Sequence, residues 1–229
     1  MDWNSVRWLS FDCYGTLIDW ESGILAAVRP VLAAHGATPA DAEILERFAA
    51  LESAIEAGPY LPYREVLRRV MQGLGREFGV ALDARACESL PEALKDWPAF
   101  PDTPAALAAL QRRFRLAVLS NVDDDLFAAT LPRLGVTFDA VVTAQQCGSY
   151  KPARRNFERL LERTGASRDD LVHVAQSLYH DHVPARAMGL RTVWVNRRRG
   201  LPGAGATPPA AATPDLEVAT LAELAAAIA

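Results

Sequence analysis

The sequence has little that would direct the chain to a membrane or to an oxidising compartment. It contains only three cysteines, Cys13, Cys87 and Cys147, an odd and scattered set that suits a reducing cytoplasm and has no metal-binding spacing. No apolar run approaches the roughly 20 residues of a membrane span. Residues 1–4 lack the basic and apolar regions that begin a signal peptide. These absences predict a cytoplasmic protein without a membrane partner.

Basic residues are not in excess either. The 24 Lys and Arg residues are outnumbered by 28 Asp and Glu residues, which predicts no nucleic-acid partner. The short run Arg197, Arg198 and Arg199 is expected to be a solvated strand end. Half of the 229 residues are apolar, so the chain can bury the core of one large domain or of a domain with a smaller insertion.

Strand-like apolar runs recur in the second half of the chain and alternate with helical spacing. They cover residues 116–119, 140–143, 171–175 and 192–195, with a last strand at 216–218 before a helix at 221–228. Strands that alternate with helices imply right-handed crossovers and a parallel sheet covered on both faces. With the apolar run that precedes Asp12, the pattern predicts an α/β fold with a doubly wound, Rossmann-like sheet.

The pattern is different between residues 20 and 97, where strand-like runs vanish. Helical periods cover residues 24–32, 40–55, 63–78 and 83–94. Thr38 and Pro39 are expected to form an N-cap with proline at the first helical position, and Gly58 with Pro59 to stop that helix. We therefore expect an all-helical cap domain at residues 19–97, inserted into a core domain formed by residues 1–18 and 98–229.

The strongest candidate for chemistry is Asp12, at the end of the first apolar run. In open α/β sheets, ligands bind at the carboxyl ends of the strands, and a carboxylate there can attack an electrophile to form an ester. Gly15 would allow a sharp turn after it. Thr16 is expected to donate a hydrogen bond to the Asp12 carboxylate, with capping of local backbone as the alternative.

Three further polar side chains follow predicted strands. Ser120 and Asn121 end the run at 116–119, where either could instead cap a helix that begins near Asp123. Lys151 precedes Pro152, between a strand and a helix, and should point into the same crevice as Asp12. Its charge would hold Asp12 ionised and stabilise a developing anion.

Taken in order, these strings resemble the four motifs of the haloacid dehalogenase (HAD) superfamily. Asp12 resembles the nucleophile of motif I, Ser120 the anion-binding residue of motif II, Lys151 the lysine of motif III and Asp181 the acid of motif IV. The resemblance implies a covalent ester on Asp12 and a role for Asp181 in preparing the hydrolytic water. A helical insertion after the first strand also resembles the caps that HAD proteins often carry.

Tyr14 distinguishes two branches of that superfamily. Its phosphatases usually carry Asp-x-Asp, and Tyr14 occupies the place of the second acid, as aromatic residues do in the dehalogenases. Asp181 is the only acid in motif IV, so two carboxylates remain for a Mg²⁺ ion that prefers several oxygen ligands. We therefore expect neither a metal nor a cofactor. The closest resemblance is to type II (S)-2-haloacid dehalogenase-like hydrolases, including a subgroup with azetidine-2-carboxylate hydrolase.

That resemblance implies hydrolysis of a small 2-substituted carboxylic acid, such as a 2-haloacid, to a 2-hydroxy acid. The leaving group would be a halide or a ring amine, and a homodimer is a further expectation. The alternatives are a Mg²⁺-dependent phosphatase and a non-catalytic relative that binds a small acid or a protein.

Substrate contacts are expected from Tyr14, Arg47, Asn121 and Ser177. Arg47 lies in the Arg-x-x-x-Leu-Glu setting of the dehalogenase arginine that grips the substrate carboxylate, a task suited to a guanidinium, although any solvated helix face carries such a residue. The choice between Gln176 and Ser177 for the motif IV contacts stays open.

Aromatic residues and histidines complete the list of candidates. Phe157 occupies the position of a family tyrosine, for which another tyrosine could compensate. His180 and His182 are expected to be supporting or surface residues and not zinc ligands. The candidate compensating hydroxyls are those of Tyr14, Tyr150 and Tyr179, and the candidate pocket aromatics are Trp20, Tyr60 and Tyr63.

Overall fold

A parallel sheet forms the centre of the core domain. The computed structural model describes residues 1–228, and within them six strands pair in the order β3-β2-β1-β4-β5-β6, every pair parallel. The strands are β1 (Trp8–Phe11), β2 (Arg115–Ser120), β3 (Ala140–Thr143), β4 (Leu171–Ala175), β5 (Arg191–Val195) and β6 (Leu216–Val218). The prediction of a doubly wound α/β sheet is therefore confirmed.

The sequence between β1 and the rest of the core forms helices. They are α1 (Trp20–Ala34), α2 (Asp41–Glu56), α3 (Tyr63–Glu77), α4 (Ala84–Cys87) and α5 (Ser89–Ala93), followed by a 3₁₀ turn at Leu94–Asp96. We call α1 to α5 the cap. The predicted start of the second helix was wrong, because α2 begins after Ala40, which has extended backbone, and neither Thr38 nor Pro39 caps it.

Helices also cover both faces of the sheet. They are α6 (Thr103–Leu110), α7 (Asp124–Leu134), α8 (Ala144–Cys147), α9 (Arg154–Thr164), α10 (Val183–Ala187) and α11 (Leu221–Ile228). All residues of β1 and β4 are buried, as expected for central strands with helices on both sides. No helix within residues 1–228 is both long enough and apolar enough to span a bilayer.

The strand order reverses at β1, and this positions the site. The chain first crosses from β1 to β2 and β3 on one side, then returns to β4 on the other side of β1. Ligands bind at such switch points, outside the carboxyl ends of the strands. The loops after β1, β2 and β4 therefore meet at one edge of the sheet, and the cap follows the first of these loops.

One carboxylate of the core ties the cap in place. Asp123 accepts hydrogen bonds from the backbone N–H groups of Tyr63 (2.9 Å) and Arg64 (3.1 Å), which satisfies donors at the start of α3. Helix α7 begins at Asp124, close to the predicted start near Asp123, so Asp123 both precedes α7 and holds the start of α3.

Arg197 departs from the expectation of a solvated strand end. Its side chain is only 6% exposed and forms an ion pair with Asp102 at 2.8 Å. Its Nη2 donates a hydrogen bond to the backbone carbonyl of Thr16 at 2.9 Å. Arg197 therefore stabilises the loop that follows Asp12.

Candidate active site

Asp12 lies at the carboxyl end of β1, buried beneath the cap. Its backbone N–H donates to the carbonyl of Val174 on β4, which continues the sheet by one residue. The chain then turns at Gly15, whose φ of 91° is unfavourable for any residue with a Cβ, and a Cβ there would come within 3.0 Å of the Trp20 indole nitrogen. The hydroxyl of Thr16 donates to Asp12 Oδ2 at 2.7 Å, which is the hydrogen bond expected from the sequence.

Lys151 joins two carboxylates in the interior. Its ammonium group donates to Asp12 Oδ1 at 2.8 Å, to Asp181 Oδ1 at 2.7 Å and to the carbonyl of Leu119 at 3.1 Å. Only 2% of the side chain is exposed. The structure therefore brings Asp12, Lys151 and Asp181 into direct contact, although they are far apart in the sequence.

The shared ammonium affects the two acids differently. Burial raises the pKa of Asp12, and the Lys151 ammonium opposes that rise while the Asp181 charge adds to it. For Asp181, Lys151 and a hydrogen bond from His173 outweigh the effect of burial and lower the pKa well below its usual range. Although burial favours the neutral amine, the two carboxylates raise the pKa of Lys151. Of the two carboxyl groups, Asp12 therefore has the higher pKa.

His173 is a supporting residue that the sequence analysis did not identify. Its Nε2 lies 2.8 Å from Asp181 Oδ1, and its Nδ1 lies 2.8 Å from the Ser10 hydroxyl on the paired strand β1. Phe157 packs edge-on against the imidazole, with ring centroids 5.4 Å apart. A polar residue in the middle of the apolar run at 171–175 was the available signal, since a buried polar group requires a partner.

Ser120 and Asn121 differ in what their side chains contact. The Ser120 hydroxyl is buried at the cavity and has no hydrogen-bond partner among residues 1–228. Asn121 exchanges hydrogen bonds with the backbone of Lys151 (2.7 and 3.1 Å) and also donates to Glu56 Oε2 at 3.1 Å. Neither residue caps α7, which begins at Asp124 with Asp123 at its N-cap position. Ser120 is therefore free to contact a ligand, whereas Asn121 holds Lys151 in place.

The motif IV residues form a π-helical segment, Leu178–His182. The Ser177 hydroxyl lines the cavity and accepts a hydrogen bond from the backbone N–H of His180 at 2.9 Å. Gln176 does not line this cavity: its side-chain Oε1 accepts a hydrogen bond from the Thr207 hydroxyl at 3.2 Å, and its backbone N–H donates to the Thr16 hydroxyl at 2.9 Å. Ser177, and not Gln176, thus faces the site.

Both histidines of this segment are buried, so of the two expected roles, supporting or surface, the surface location is wrong. His180 lines the cavity, and burial lowers its pKa to about 4, so the ring is neutral at physiological pH. His182 contacts the backbone carbonyl of Ala175 at 2.9 Å through Nε2.

The cap closes the cavity with both aromatic and acidic side chains. The cavity, about 30 Å³, is lined by Asp12, Tyr14, Trp20, Glu52, Glu56, Tyr63, Ser120, Asn121, Lys151, Ser177, His180, Asp181 and Thr207. Trp20 and Tyr63 therefore fulfil the expectation of pocket aromatics, whereas Tyr60 lies in a neighbouring cavity with Tyr150 and Tyr179.

The tyrosine hydroxyls do not replace the one missing at Phe157. Tyr14 contributes its ring to the cavity, and its hydroxyl bonds to that of Thr130 at 2.9 Å. The Tyr150 hydroxyl donates to the carbonyl of Leu61 at 2.7 Å. Tyr179 lines the neighbouring cavity and not the one at Asp12.

Arg47 is not in the site, and the expectation that it lines the pocket is wrong. Its side chain is 53% exposed and pairs with Glu77 on α3 at 3.2 Å. The buried face of α2 instead carries Phe48 and Glu52, with Glu56 one turn further along. Because residues four apart share a helix face, this spacing was the signal that could have identified the two glutamates.

The side chains around Asp12 do not fit a divalent cation. Such ions require several oxygen ligands, whereas the Lys151 ammonium already stands between Asp12 Oδ1 and Asp181 Oδ1. The phenol of Tyr14 bonds to Thr130 and offers no carboxylate. In the described part of the chain, no group of three or more His, Cys, Asp and Glu side chains is arranged to hold a metal ion.

Comparison with known proteins adds independent information. A family model described as haloacid dehalogenase-like hydrolase matches residues 6–189. The (S)-2-haloacid dehalogenase of Pseudomonas sp. (strain YL) is 27% identical over 198 residues, covering 84% of this chain and 83% of the relative. A phosphoserine phosphatase of Thermus thermophilus is 32% identical, covering 71% of this chain and 64% of its own.

Solved structures agree with this similarity. An L-2-haloacid dehalogenase crystal structure superposes with a TM-score of 0.80 at 25% identity, covering 97% of this chain and 98% of the other. The L-2-haloacid dehalogenase of Xanthobacter autotrophicus shares the fold, with a TM-score of 0.80 at 21% identity and the same coverage.

Proposed function

The chain belongs to the haloacid dehalogenase-like hydrolases, and from this premise we propose that it hydrolyses small 2-substituted carboxylic acids, 2-haloacids first among them, through an ester on Asp12. One observation carries the proposal. The Asp12 carboxylate, held by Thr16 and Lys151, faces a cavity in which the aromatic Tyr14 occupies the position of the acid that a phosphatase would use. The similarity to two (S)-2-haloacid dehalogenases supports the choice of substrate class.

In the first step, a carboxylate oxygen of Asp12 attacks the saturated carbon next to the substrate carboxylate. The new carbon–oxygen bond forms as the carbon–halogen bond breaks, the halide leaves with the bonding electrons, and the configuration at carbon inverts. Thr16 and Lys151 each hold one oxygen of Asp12, which fixes the plane of the nucleophile. The Ser120 hydroxyl, which has no partner within residues 1–228, is available to the substrate.

In the second step, water attacks the carbonyl carbon of the Asp12 ester. Asp181 accepts a proton from that water, and its Oδ2, which lines the cavity without a partner among residues 1–228, is the available oxygen. Lys151 stabilises the oxyanion of the tetrahedral intermediate. Collapse of this intermediate breaks the bond between the Asp12 carbonyl carbon and the substrate oxygen. The departing alkoxide takes the second proton of the attacking water to become the 2-hydroxy acid, Asp12 is regenerated as a carboxylate, and the first proton stays on Asp181 for transfer to solvent.

Three alternatives use the same cavity. Release of a ring amine instead of a halide follows the same steps and differs only in the leaving group. A Mg²⁺-dependent phosphatase is consistent with the similarity to a phosphoserine phosphatase, but the position of Tyr14 and the location of Lys151 between the acids favour attack at carbon. A non-catalytic binding protein is the third alternative, which any turnover that depends on Asp12 would exclude.

We also propose a cytoplasmic location without a nucleic-acid partner and a homodimeric assembly. The three free cysteines are buried and unpaired within the described residues, which suits a reducing compartment. Light scattering of the purified protein tests the oligomeric state, since a monomer mass contradicts the dimer.

The experiment that tests the function is halide release from each enantiomer of 2-chloropropionate, with EDTA or with Mg²⁺. We expect release from one enantiomer in EDTA, with the inverted hydroxy acid as product, and no release by Asp12→Asn. Asp169→Asn, which changes an exposed aspartate in the same way, is the matched control and should keep full activity. Phosphate release that requires Mg²⁺, without halide release, would contradict the proposal.

A further inference from the structure

Glu56 of the cap and His180 of the core stand between two cavities. The cavity at Asp12 has a volume of about 30 Å³, and the neighbouring one has a volume of about 330 Å³. Both are lined by Glu56, Lys151 and His180. We call the larger one the outer cavity, because four residues of its lining are exposed at the surface, namely Ala57, Gly58, Pro152 and Ala153. A proton that passes Glu56 and His180 therefore reaches solvent.

The proposed hydrolysis leaves a proton on Asp181, and this proton has to leave before the next turnover. The Asp181 side chain is 1% exposed, so it has no direct contact with bulk water. Lys151 cannot accept the proton, because its raised pKa keeps the ammonium fully protonated. His173 leads away from both cavities, since its other ring nitrogen contacts the buried Ser10 hydroxyl. The route therefore begins at Asp181 Oδ2, on the side of the Asp12 cavity.

Unpaired polar atoms mark this side. Four side chains that line the Asp12 cavity carry a buried atom with no hydrogen-bond partner among residues 1–228, namely Glu56 Oε1, Ser120 Oγ, His180 Nε2 and Asp181 Oδ2. Native proteins rarely leave such atoms unpaired. A cavity needs only about 10–15 Å³ to hold a water molecule when polar partners are present. The Asp12 cavity thus has room for a water that bridges these atoms.

The His180 ring is held with one nitrogen toward the two cavities. The Ser177 hydroxyl accepts a hydrogen bond from the backbone N–H of His180 at 2.9 Å and lies 3.2 Å from His180 Nδ1. A hydroxyl oxygen can accept two hydrogen bonds, so Ser177 suits the tautomer with the proton on Nδ1. Nε2 is then able to accept a proton, and it lies 3.9 Å from Glu56 Oε2. This distance exceeds a hydrogen bond by about 1 Å, which a small movement or one bridging water supplies.

We propose that His180 and Glu56 relay the proton of Asp181 to the outer cavity. The inference rests on the proposed function, since it completes the second step of that reaction. His180 Nε2 takes the proton from Asp181 Oδ2 through water and passes it to Glu56 Oε2. Glu56 Oε1 releases a proton to water in the outer cavity. His180 and Glu56 each end with as many protons as they had at the start, and one proton has moved from Asp181 to solvent.

Acid strengths along this route favour outward transfer. Despite burial, the Lys151 ammonium holds the pKa of Asp181 well below its usual range. Burial lowers the pKa of His180 to about 4, whereas burial together with Glu52 raises that of Glu56 well above its usual range. Each group therefore holds a proton more firmly than the one before it. The other ionisable groups that line the two cavities are Asp12, Glu52, Tyr60, Tyr63, Tyr150, Lys151, Tyr179 and Asp181.

The test compares one turnover with many. A first turnover begins with ionised Asp181 and needs no relay, so Glu56→Gln and His180→Asn should release halide and 2-hydroxy acid within about threefold of the wild-type rate when enzyme exceeds 2-chloropropionate. With substrate in excess, kcat should fall at least about tenfold, because Asp181 keeps its proton. The intact single turnover also shows that each variant is folded.

Added imidazole distinguishes proton transfer from a structural role. Imidazole is small enough for the outer cavity, and at constant pH and ionic strength it should raise kcat of both variants at least about threefold while leaving the wild type unchanged. Glu43→Gln changes an exposed glutamate on the helix that carries Glu56, and His35→Asn changes an exposed histidine. Both control variants should keep the wild-type single-turnover rate and kcat.

Three outcomes would overturn the relay. They are a kcat within about twofold of wild type in both variants, a single-turnover rate that falls as far as kcat, and a reduced kcat that does not respond to imidazole. These outcomes are distinct from failure of the proposed function. Asp12-dependent halide release with an unchanged kcat in both variants rejects the relay alone, whereas no halide release by the wild type rejects the proposed function and the relay with it.

Discussion

Replacement of Lys151 by methionine should both abolish turnover and destabilise the fold. The ammonium contacts Asp12 and Asp181 at 2.8 and 2.7 Å, and all three side chains are buried. Methionine has a similar length and no charge, so the variant leaves two carboxylates facing each other without a counter-ion. The chain has just one other lysine, the exposed Lys95, and Lys95→Met serves as the matched control. Because both variants make the same substitution, the difference between them isolates the effect of the buried charge.

The magnitude follows from the burial of the group. Removal of one partner from a buried ion pair typically costs about 3–5 kcal/mol, a large part of the 5–15 kcal/mol that stabilises a typical protein. The pKa of Asp181 is lowered in the folded state. Ionised Asp181 therefore stabilises the fold at pH values above its unfolded-state pKa of about 3.9, and this stabilisation is lost as the pH falls. Without the ammonium, burial raises the pKa of both carboxyls, the folded variant takes up protons, and its deficit should shrink from pH 8 to pH 5.

Urea unfolding at pH 5 and pH 8 measures the loss of unfolding free energy and its dependence on pH. We expect Lys151→Met to lose about 3–5 kcal/mol at pH 8 and less at pH 5, and Lys95→Met to lose under about 0.5 kcal/mol at both. Addition of Asp181→Asn to Lys151→Met should restore part of the loss, because one unpaired charge is removed. A loss below about 1 kcal/mol at pH 8, or one that does not depend on pH, would refute the description of this network.

Two further results are expected. Thr16→Val removes a hydrogen bond to the nucleophile and should lower kcat/KM roughly tenfold to a hundredfold in the halide assay, and an unchanged value would show that Thr16 only caps backbone. Arg47→Gln breaks an exposed pair and should change KM for 2-chloropropionate less than about twofold, whereas a tenfold rise would return Arg47 to the substrate carboxylate.

The fold and most of the core side of the site could be predicted from the sequence, for a physical reason. Buried parallel strands are continuous apolar runs, and a residue just after such a run must lie at the carboxyl edge of the sheet. Asp12 and Ser120 follow this rule directly. Their positions depend on the sheet alone, so local patterns suffice to bring them together.

The cap side was harder to predict because it depends on how a helix is rotated about its own axis. The match to the Arg-x-x-x-Leu-Glu pattern predicted that Arg47 lies in the pocket. In the structure, the rotation of α2 turns Arg47 to solvent and turns Glu52 and Glu56 inward. Glutamate is almost always a surface residue, so sequence patterns favour the opposite assignment. The rotation is decided by contacts with α3 and with Asn121, which are distant in the sequence.

Contacts between distant residues account for the remaining differences. The Tyr14 hydroxyl bonds to Thr130, 116 residues away, so no local pattern shows that this phenol is engaged. Arg197 is followed in the sequence by two more arginines, a pattern typical of the surface. In the structure it is buried against Asp102 and the loop that contains Thr16. In both cases, a polar group is buried because a partner from another element satisfies it.

The most direct test of the central claim is a single turnover in heavy-oxygen water (H₂¹⁸O), with enzyme in excess over 2-chloropropionate. If Asp12 forms an ester that water hydrolyses at its carbonyl carbon, mass spectrometry should find the label in the Asp12 peptide and ordinary oxygen in the new hydroxyl of the product. Label in the product hydroxyl, with Asp12 unlabelled, would mean that water attacks the substrate directly and would contradict the account.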